Sequence, residues 1–168
     1  MFNGINRGIN QMKRNILFIL LSVLVIILDQ ISKFAVLKNF QYGERLNIIP
    51  NFFDLTLVFN PGAAFSFLSN QNGWQKYFFL ILAVVVSFYL IYAVFKKNFG
   101  LLSSIGSMMI VGGAIGNVID RLIHGQVVDF LLFYLGNHYY PAFNIADSFI
   151  CIGAGLLLLE SAKKKKTD

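Results

Sequence analysis

Four long apolar runs, separated by two polar and aromatic connections and one short basic one, give the chain its outline. The first runs from Ile16 to Leu28, broken only by Ser22, and continues through Asp29-Gln-Ile-Ser-Lys33 to Leu37. A basic flank before an apolar run also fits a secretion signal. No small-residue cleavage site follows, however, and the run reaches bilayer-crossing length, so the pattern predicts a spanning helix over 15–37. Trp74 and Tyr77 open a second run that ends at Phe95, Leu101 to Leu122 forms the third, and the fourth begins near Asn144. These predict helices over 75–95, 101–123 and 144–162, the third carrying Gly112 and Gly116 at a spacing that permits close helix packing. Residues 1–12 are weakly patterned and are expected to form a frayed tail.

The connections have a different grammar. Gly43, Pro50, Pro61 and Gly62 punctuate 38–74, and Asp54-Leu-Thr-Leu-Val-Phe-Asn60 has the partial alternation of a half-buried strand, which predicts a small sheet there. Asn60-Pro-Gly-Ala-Ala-Phe65 is a turn followed by small residues that let another backbone approach; an ordinary turn explains it equally well. In the connection 123–143, Gly125 ends the third helix, Val127-Val128-Asp129-Phe130 is extended, and Leu131 to Phe143 is an aromatic loop suited to act as a lid.

Composition settles the class. Of 168 residues, 57% are hydrophobic and 13% charged, and the mean hydropathy is +0.66, far from a soluble domain. We expect an all-α polytopic membrane protein: one membrane domain over 1–168, four transmembrane helices, a small extracytoplasmic β-sheet and an external lid loop. The net charge of +6 does not imply a nucleic-acid partner, because the basic residues cluster beside apolar runs at Lys13-Arg14, Lys96-Lys97 and Lys163 to Lys166, where they orient a membrane protein. That bias places both termini in the cytoplasm and 38–74 and 123–143 outside. The single cysteine, Cys151, excludes a disulfide within the chain.

On this topology Asp29, Asp120, Asp129 and Asp147 gather at the outer boundary of the membrane, where carboxylates beside apolar spans persist only if paired, wet or functional. Asp29 and Lys33 are four apart on one helix face and are expected to form a helix-locking salt bridge rather than a catalytic pair. Asn117, Asp120 and Arg121 form one polar face of the third helix. Asn144 can cap the fourth, with Asp147 in its first turn. Asp129 and Asp147, delivered from either side of the aromatic loop, suit general acid and base work on a shared proton; which of them carries it stays open. Neither His124 nor His138 belongs to a serine triad or a His-Glu-x-x-His zinc motif, and no phosphate loop ending in Gly-Lys-Ser/Thr occurs. Both histidines fit as interfacial polar residues. A proton-coupled transporter would also use intramembrane acids, but would place them at several depths. A noncatalytic assembly protein would leave the paired acids unexplained.

Five motifs in order carry a resemblance: Asp29-Gln30-x-x-Lys33, Asn60-x-Gly62-Ala63-Ala64-Phe65, Gly116-Asn117-x-x-Asp120-Arg121, Val128-Asp129-Phe130 and Phe143-Asn144-x-Ala146-Asp147. Together they resemble the lipoprotein signal peptidases, or signal peptidase II, from about Lys13 to the end of the chain. The resemblance implies an aspartic endopeptidase of the bacterial plasma (inner) membrane that removes signal peptides from diacylglyceryl-modified prolipoproteins, cutting before the lipidated cysteine. It implies Asp129 and Asp147 as catalytic residues and Asn60, Asn117, Arg121 and Asn144 as substrate-binding ones. Asp29, Lys33, Asp120 and Gly62 would support the site. No metal or cofactor is implied; the expected partners are prolipoprotein signal peptides and membrane lipids, with the enzyme a monomer. Phe65 and Phe67 are expected to line the substrate groove.

Overall fold

A computed structural model of the protein describes residues 2–62, 74–96 and 98–164. Its elements follow in the order α1 (Phe2–Asn39), β1 (Arg45–Ile49), β2 (Phe53–Asn60), α2 (Trp74–Phe95), α3 (Leu101–Ile123), β3 (Val127–Leu135), β4 (His138–Tyr139) and α4 (Ile145–Lys164). Each helix contains a segment long and apolar enough to cross a membrane: Ile9–Asn39, Lys76–Phe95, Leu101–Ile123 and Ile145–Lys164. The expected frayed tail is a correction, since α1 extends back to Phe2. Nothing in that stretch is proline, and polar side chains bridge successive turns, as where Gln11 donates to Asn15 at 2.9 Å and Arg14 donates to Gln11 at 3.0 Å. An existing helix propagates through such residues more easily than a new one nucleates.

α3 is the axis of the bundle. It packs against all three other helices, and 67% of its spanning window is buried, against 22% or less in the others. Small residues make this possible: a Cβ on Gly112 would fall 2.7 Å from the Ser22 carbonyl of α1, and one on Gly113 would fall 2.5 Å from the Ala146 carbonyl of α4. With no apolar driving force between helices in lipid, such close backbone approach and interhelical bonds hold the bundle, as where Ser22 Oγ donates to the Met108 carbonyl at 2.7 Å. α2 is apolar all round and leaves Phe78, Ile81, Val85, Phe88 and Tyr92 exposed, the composition of a lipid-facing helix.

The strands form one antiparallel sheet in the order β1-β2-β3-β4 at one end of the bundle. The second connection supplies half of it. The segment 131–143, expected as a free loop, is therefore largely strand, turn and a bridge from Leu131 to Phe143, because β3 pairs with β2 along one edge and β4 along the other. Val128 and Phe130 on one face of β3 pack with Leu57 and with Val36 of α1. The alternation of the strand then turns Asp129 away from that cluster. Since α1 and α3 run towards the sheet and α2 and α4 away from it, the start of α1 and the end of α4 lie at the opposite end.

Candidate active site

Every acid singled out in the sequence converges at the sheet end of the bundle. Lys33 is the node: its ammonium lies 2.8 Å from Asp29 Oδ2 and 2.8 Å from Asp120 Oδ2, and it donates to Asn117 Oδ1 at 3.0 Å. All three donors of the ammonium are thus used. Gln30 completes the cluster through its amide nitrogen, 3.1 Å from Asp29 Oδ2 and 3.0 Å from Asp120 Oδ1. Asp29, Lys33 and Asp120 are buried, so the pairing had to be this complete for the charges to persist in the bundle.

The same two carboxylates reach beyond α1 and α3. Asp29 Oδ1 accepts the backbone N–H of Ala146 at 3.0 Å, and Asp120 Oδ2 accepts that of Val128 at 3.0 Å. Ala146 precedes Asp147, and Val128 precedes Asp129. The charged cluster therefore grips the backbone immediately before each member of the acid pair.

Asn144 links the pair. Its side-chain nitrogen donates to Asp129 Oδ1 at 2.7 Å, and its side-chain oxygen accepts the Asp147 N–H at 2.9 Å. Asp147 Oδ2 returns to the Asn144 N–H at 3.4 Å, the reciprocal arrangement of a capping box at the start of α4. Asp147 Oδ1 accepts from Asn117 Nδ2 at 2.8 Å. Asp129 Oδ2 accepts from Asn60 Nδ2 at 3.1 Å. Val58 lies opposite Asp129 across the β2–β3 ladder, so Asn60, two residues further on, is the diagonal neighbour on the same face. Asn60 is held in turn by the Gly62 N–H, 3.0 Å from its Oδ1. Gly62 takes a φ of +108° there, a conformation that L side chains rarely adopt.

Asp129 is 1% exposed. Burial, reinforced by the charge of Asp147, pushes its carboxyl up to about 7, against the opposing hydrogen bonds from Asn60 and Asn144 and the charge of Lys33. A carboxylic acid that keeps its proton near neutrality beside a second carboxylate is the arrangement that acid–base catalysis by paired acids requires.

Two cavities meet at Asp147. One is a trough of about 370 Å³ between α2, α3 and α4, bordered by Phe79, Ala83, Ile110, Ala114 and Arg121. The other, of about 460 Å³, lies on the sheet side and is lined by Phe133, Tyr140, Phe143, Ser148 and Cys151 with Asp147. Arg121 lies over the Phe79 ring, 5.4 Å from its centroid, and donates to the Asn117 carbonyl at 3.3 Å. Its Nε is buried without a hydrogen-bond partner.

Sequence reasoning grouped the acids with Asn60, Asn117, Arg121 and Asn144 as the structure does. It gave Gln30 no role, although its position beside Asp29 and one turn before Lys33 was a usable signal, and it missed Phe79; the cavity aromatics Phe133, Tyr140 and Phe143 belong to the segment it expected to act as a lid. Phe65 and Phe67 lie outside the described residues, as do Ala63 and Ala64. His124 and His138 are exposed. Among the described residues, no cluster of three His, Cys, Asp or Glu could hold a metal ion.

Comparison with known proteins sharpens the picture. A family model described as Signal peptidase (SPase) II matches residues 21–163. A lipoprotein signal peptidase of Neisseria meningitidis serogroup C is 65% identical over 148 residues, covering 88% of this chain and 90% of its own length. One from Neisseria gonorrhoeae is 66% identical, covering 87% and 89%, and one from Pasteurella multocida is 48% identical, covering 91% and 93%. A solved bacterial membrane enzyme, determined by the in meso method at 2.3 Å resolution, superimposes with a TM-score of 0.80 at 33% identity over 90% of each chain.

Proposed function

Because this chain belongs to the signal peptidase II family, we propose that Asp129 and Asp147 are the catalytic acids of a peptidase that cuts diacylglyceryl-modified prolipoproteins just before the lipidated cysteine. The chain is a multi-pass membrane protein and an aspartic peptidase that processes prolipoprotein signal peptides. The observation that carries the assignment is Asn144, which bonds Asp129 through one end of its side chain and the Asp147 backbone through the other.

Asp129, holding its proton up to about pH 7, acts first as the general acid. Asp147, among the backbone N–H groups of the first turn of α4, acts as the base. Asp147 takes a proton from water as the water oxygen attacks the scissile carbonyl carbon, and Asp129 gives its proton to the carbonyl oxygen. The neutral tetrahedral intermediate then collapses in the reverse sense. Asp129 takes back a hydroxyl proton, Asp147 protonates the departing amine, and the C–N bond breaks. The dyad ends with the single proton it began with.

The polar neighbours divide into two roles. Asn117, Asn144 and Asn60 spend donors on the acids and so position them. Arg121, with an unpartnered Nε at the edge of the trough, is the group available to a substrate carbonyl or developing oxyanion. The lipid-facing trough between α2 and α4 admits an apolar signal helix from the side. The basic clusters orient both termini to the cytoplasm and the sheet and acids to the outer face of the bacterial plasma membrane. All of these site residues come from one chain, which supports a monomer.

The test is cleavage of a synthetic diacylglyceryl prolipopeptide by the purified protein, alongside the same peptide without lipid. Cleavage of the lipidated peptide before its cysteine supports the reading; failure to cleave it, or equal cleavage of both, overturns it.

A further inference from the structure

The end of the bundle opposite the sheet holds a polar arrangement that the reaction does not use. α3 begins there after Gly100, which has no side chain to cap the helix, so its first amide groups need a partner from elsewhere. Glu160 of α4 supplies it. Its Oε2 accepts the Ser103 N–H at 2.6 Å, and its Oε1 fills the space where a Cβ on Gly100 would stand. A carboxylate at the amino end of a helix is electrostatically matched. The contact ties the last turns of α4 to the start of α3, roughly 20 Å along α4 from Asp147.

Beside this bond lies a cavity of about 390 Å³ whose walls differ in character. Phe99 packs on the buried cluster of Phe18, Val94 and Met108, and with Leu157 and the exposed Leu158 it makes one side apolar. Asn98, Ser161 and Lys164, all exposed, make the other side polar. The volume would hold roughly a dozen waters, too much for a lone anion. Its lining passes from apolar to cationic over a short distance, as a lipid passes from its chains to its phosphate. The charge is one-sided as well. In sequence, Lys96-Lys97 and Lys163 to Lys166 supply six lysines, whereas 96–103 and 157–168 hold two acids, Glu160 and Asp168. Glu160 faces the α3 amide as well as the charges of Lys163 and Lys164. Two carboxylates leave these segments strongly basic.

We propose that this cavity seats the headgroup of an anionic phospholipid, a phosphatidylglycerol, drawn from the leaflet beside the basic end of the bundle. The phosphate meets Lys164, the glycerol hydroxyls meet Asn98 and Ser161, and the acyl chains run over Phe99, Leu157 and Leu158. Basic pockets between helices suit such headgroups. A lipid held there bridges α4 and the turn before α3, and so braces the Glu160 contact.

Lipid retention by the full-length protein in dodecyl maltoside tests this, read by native mass spectrometry with thermal unfolding as a second readout. The wild type should keep one dioleoylphosphatidylglycerol per chain and unfold several degrees higher with it than with a phosphatidylcholine of the same chains. Lys164→Gln should weaken retention by about fivefold, the worth of one cation near an anionic surface. Ser161→Trp, which fills the cavity, should abolish it. Lys13→Gln removes a cation that lies outside the cavity lining and should change neither readout. Equal retention of the two lipids, or an equal loss from Lys13→Gln, would show a diffuse basic surface and overturn the site. Undiminished retention by a folded Ser161→Trp would overturn it too. Inorganic phosphate that reproduced the whole thermal shift would make this a free-anion site and defeat the lipid assignment.

Discussion

Lys33 Nζ lies 2.8 Å from Asp120 Oδ2, an ion pair that crosses from α1 to α3. The i,i+4 pair with Asp29 is only one side of this cation; the other side turns a local helix contact into a clamp on the tertiary structure. Asp120 holds the Val128 N–H and Asp29 holds the Ala146 N–H. One lysine thereby fixes the two carboxylates that hold the backbone just before Asp129 and Asp147, the proposed catalytic acids.

Lys33→Ala should therefore lower stability by about 3–5 kcal/mol, because it leaves two buried carboxylates facing each other without their cation. Asp29→Ala should cost less, since Lys33 keeps Asp120. Both variants should give less folded protein, while turnover per folded molecule falls by a smaller factor. Yield, thermal unfolding in detergent and active-site titration separate these effects. Normal stability with abolished turnover in both would place the cluster in the chemistry.

Gly116 approaches Asp29 so closely that a Cβ there would sit 2.5 Å from the carboxylate oxygen. That oxygen is not free to move, being held by Lys33 and Gln30. Gly116→Ala should lower stability by about 1–3 kcal/mol, the usual cost of overpacking a filled interior. The same substitution at Gly155, where a Cβ would meet nothing within 4 Å, should be close to neutral. Thermal unfolding of both variants checks the contrast.

The legible part of this fold was whatever repeats along the chain. Apolar runs located α2, α3, α4 and the C-terminal end of α1 to within a few residues, and the alternation at Asp54 to Asn60 marked β2. The N-terminal end of α1 was missed because Asn and Gly lower helix propensity locally, while propagation from a strong helix overrides them. The strand character beyond Phe130 was missed because Phe, Leu and Tyr suit either a loop over a membrane or a paired strand, and only the partner β2 decides. Asp129 and Asp147 stood out as charges in apolar surroundings. Gln30 did not, because its importance lies in the distance to Asp120, ninety positions away in sequence.

On the proposed orientation the chain ends and the Lys96 turn are expected in the cytoplasm. In the structure the start of α1 and the end of α4 lie at the end of the bundle opposite the sheet, so a reporter at each end fixes the orientation. In the Cys151→Ala background, a cysteine at Gly136 in the turn between β3 and β4 should react with an impermeant maleimide in intact cells, whereas one at Lys164 should react only after lysis. The reverse pattern would invert the orientation of the acid pair.

Asp129 carries a pH signature of its own. Its carboxyl rises from the ordinary 3.8 to about 7 on folding, so between these values the folded chain binds a proton that the unfolded chain has released. Folding gains from this group at low pH, and the advantage is lost as pH rises from about 4 to 7. Asp129→Asn removes the dependence. Relative to the wild type, the variant should gain thermal stability steadily across this window and keep a constant difference above it. A difference that is flat with pH would show that Asp129 is ionised throughout.

Asp129→Asn and Asp147→Asn should each abolish cleavage, by at least about 10³-fold, and yet leave a folded protein that binds lipidated substrate, because asparagine keeps the shape but cannot carry the proton. On the proposed mechanism the two acids share one proton through two half-reactions, so losing either stops both halves. The double variant should then be scarcely slower than either single, the nonadditivity of groups that act as a unit. Wild-type activity should fall on the alkaline side as Asp129 loses its proton near pH 7. Chelators should leave activity intact, since water, two carboxyls and a held peptide suffice for every proton transfer. Cleavage of a diacylglyceryl prolipopeptide, with binding measured separately, tests all of this. Substantial turnover by either folded single variant would remove that acid from the dyad, and multiplicative losses in the double would show two independent contributions rather than one shared step.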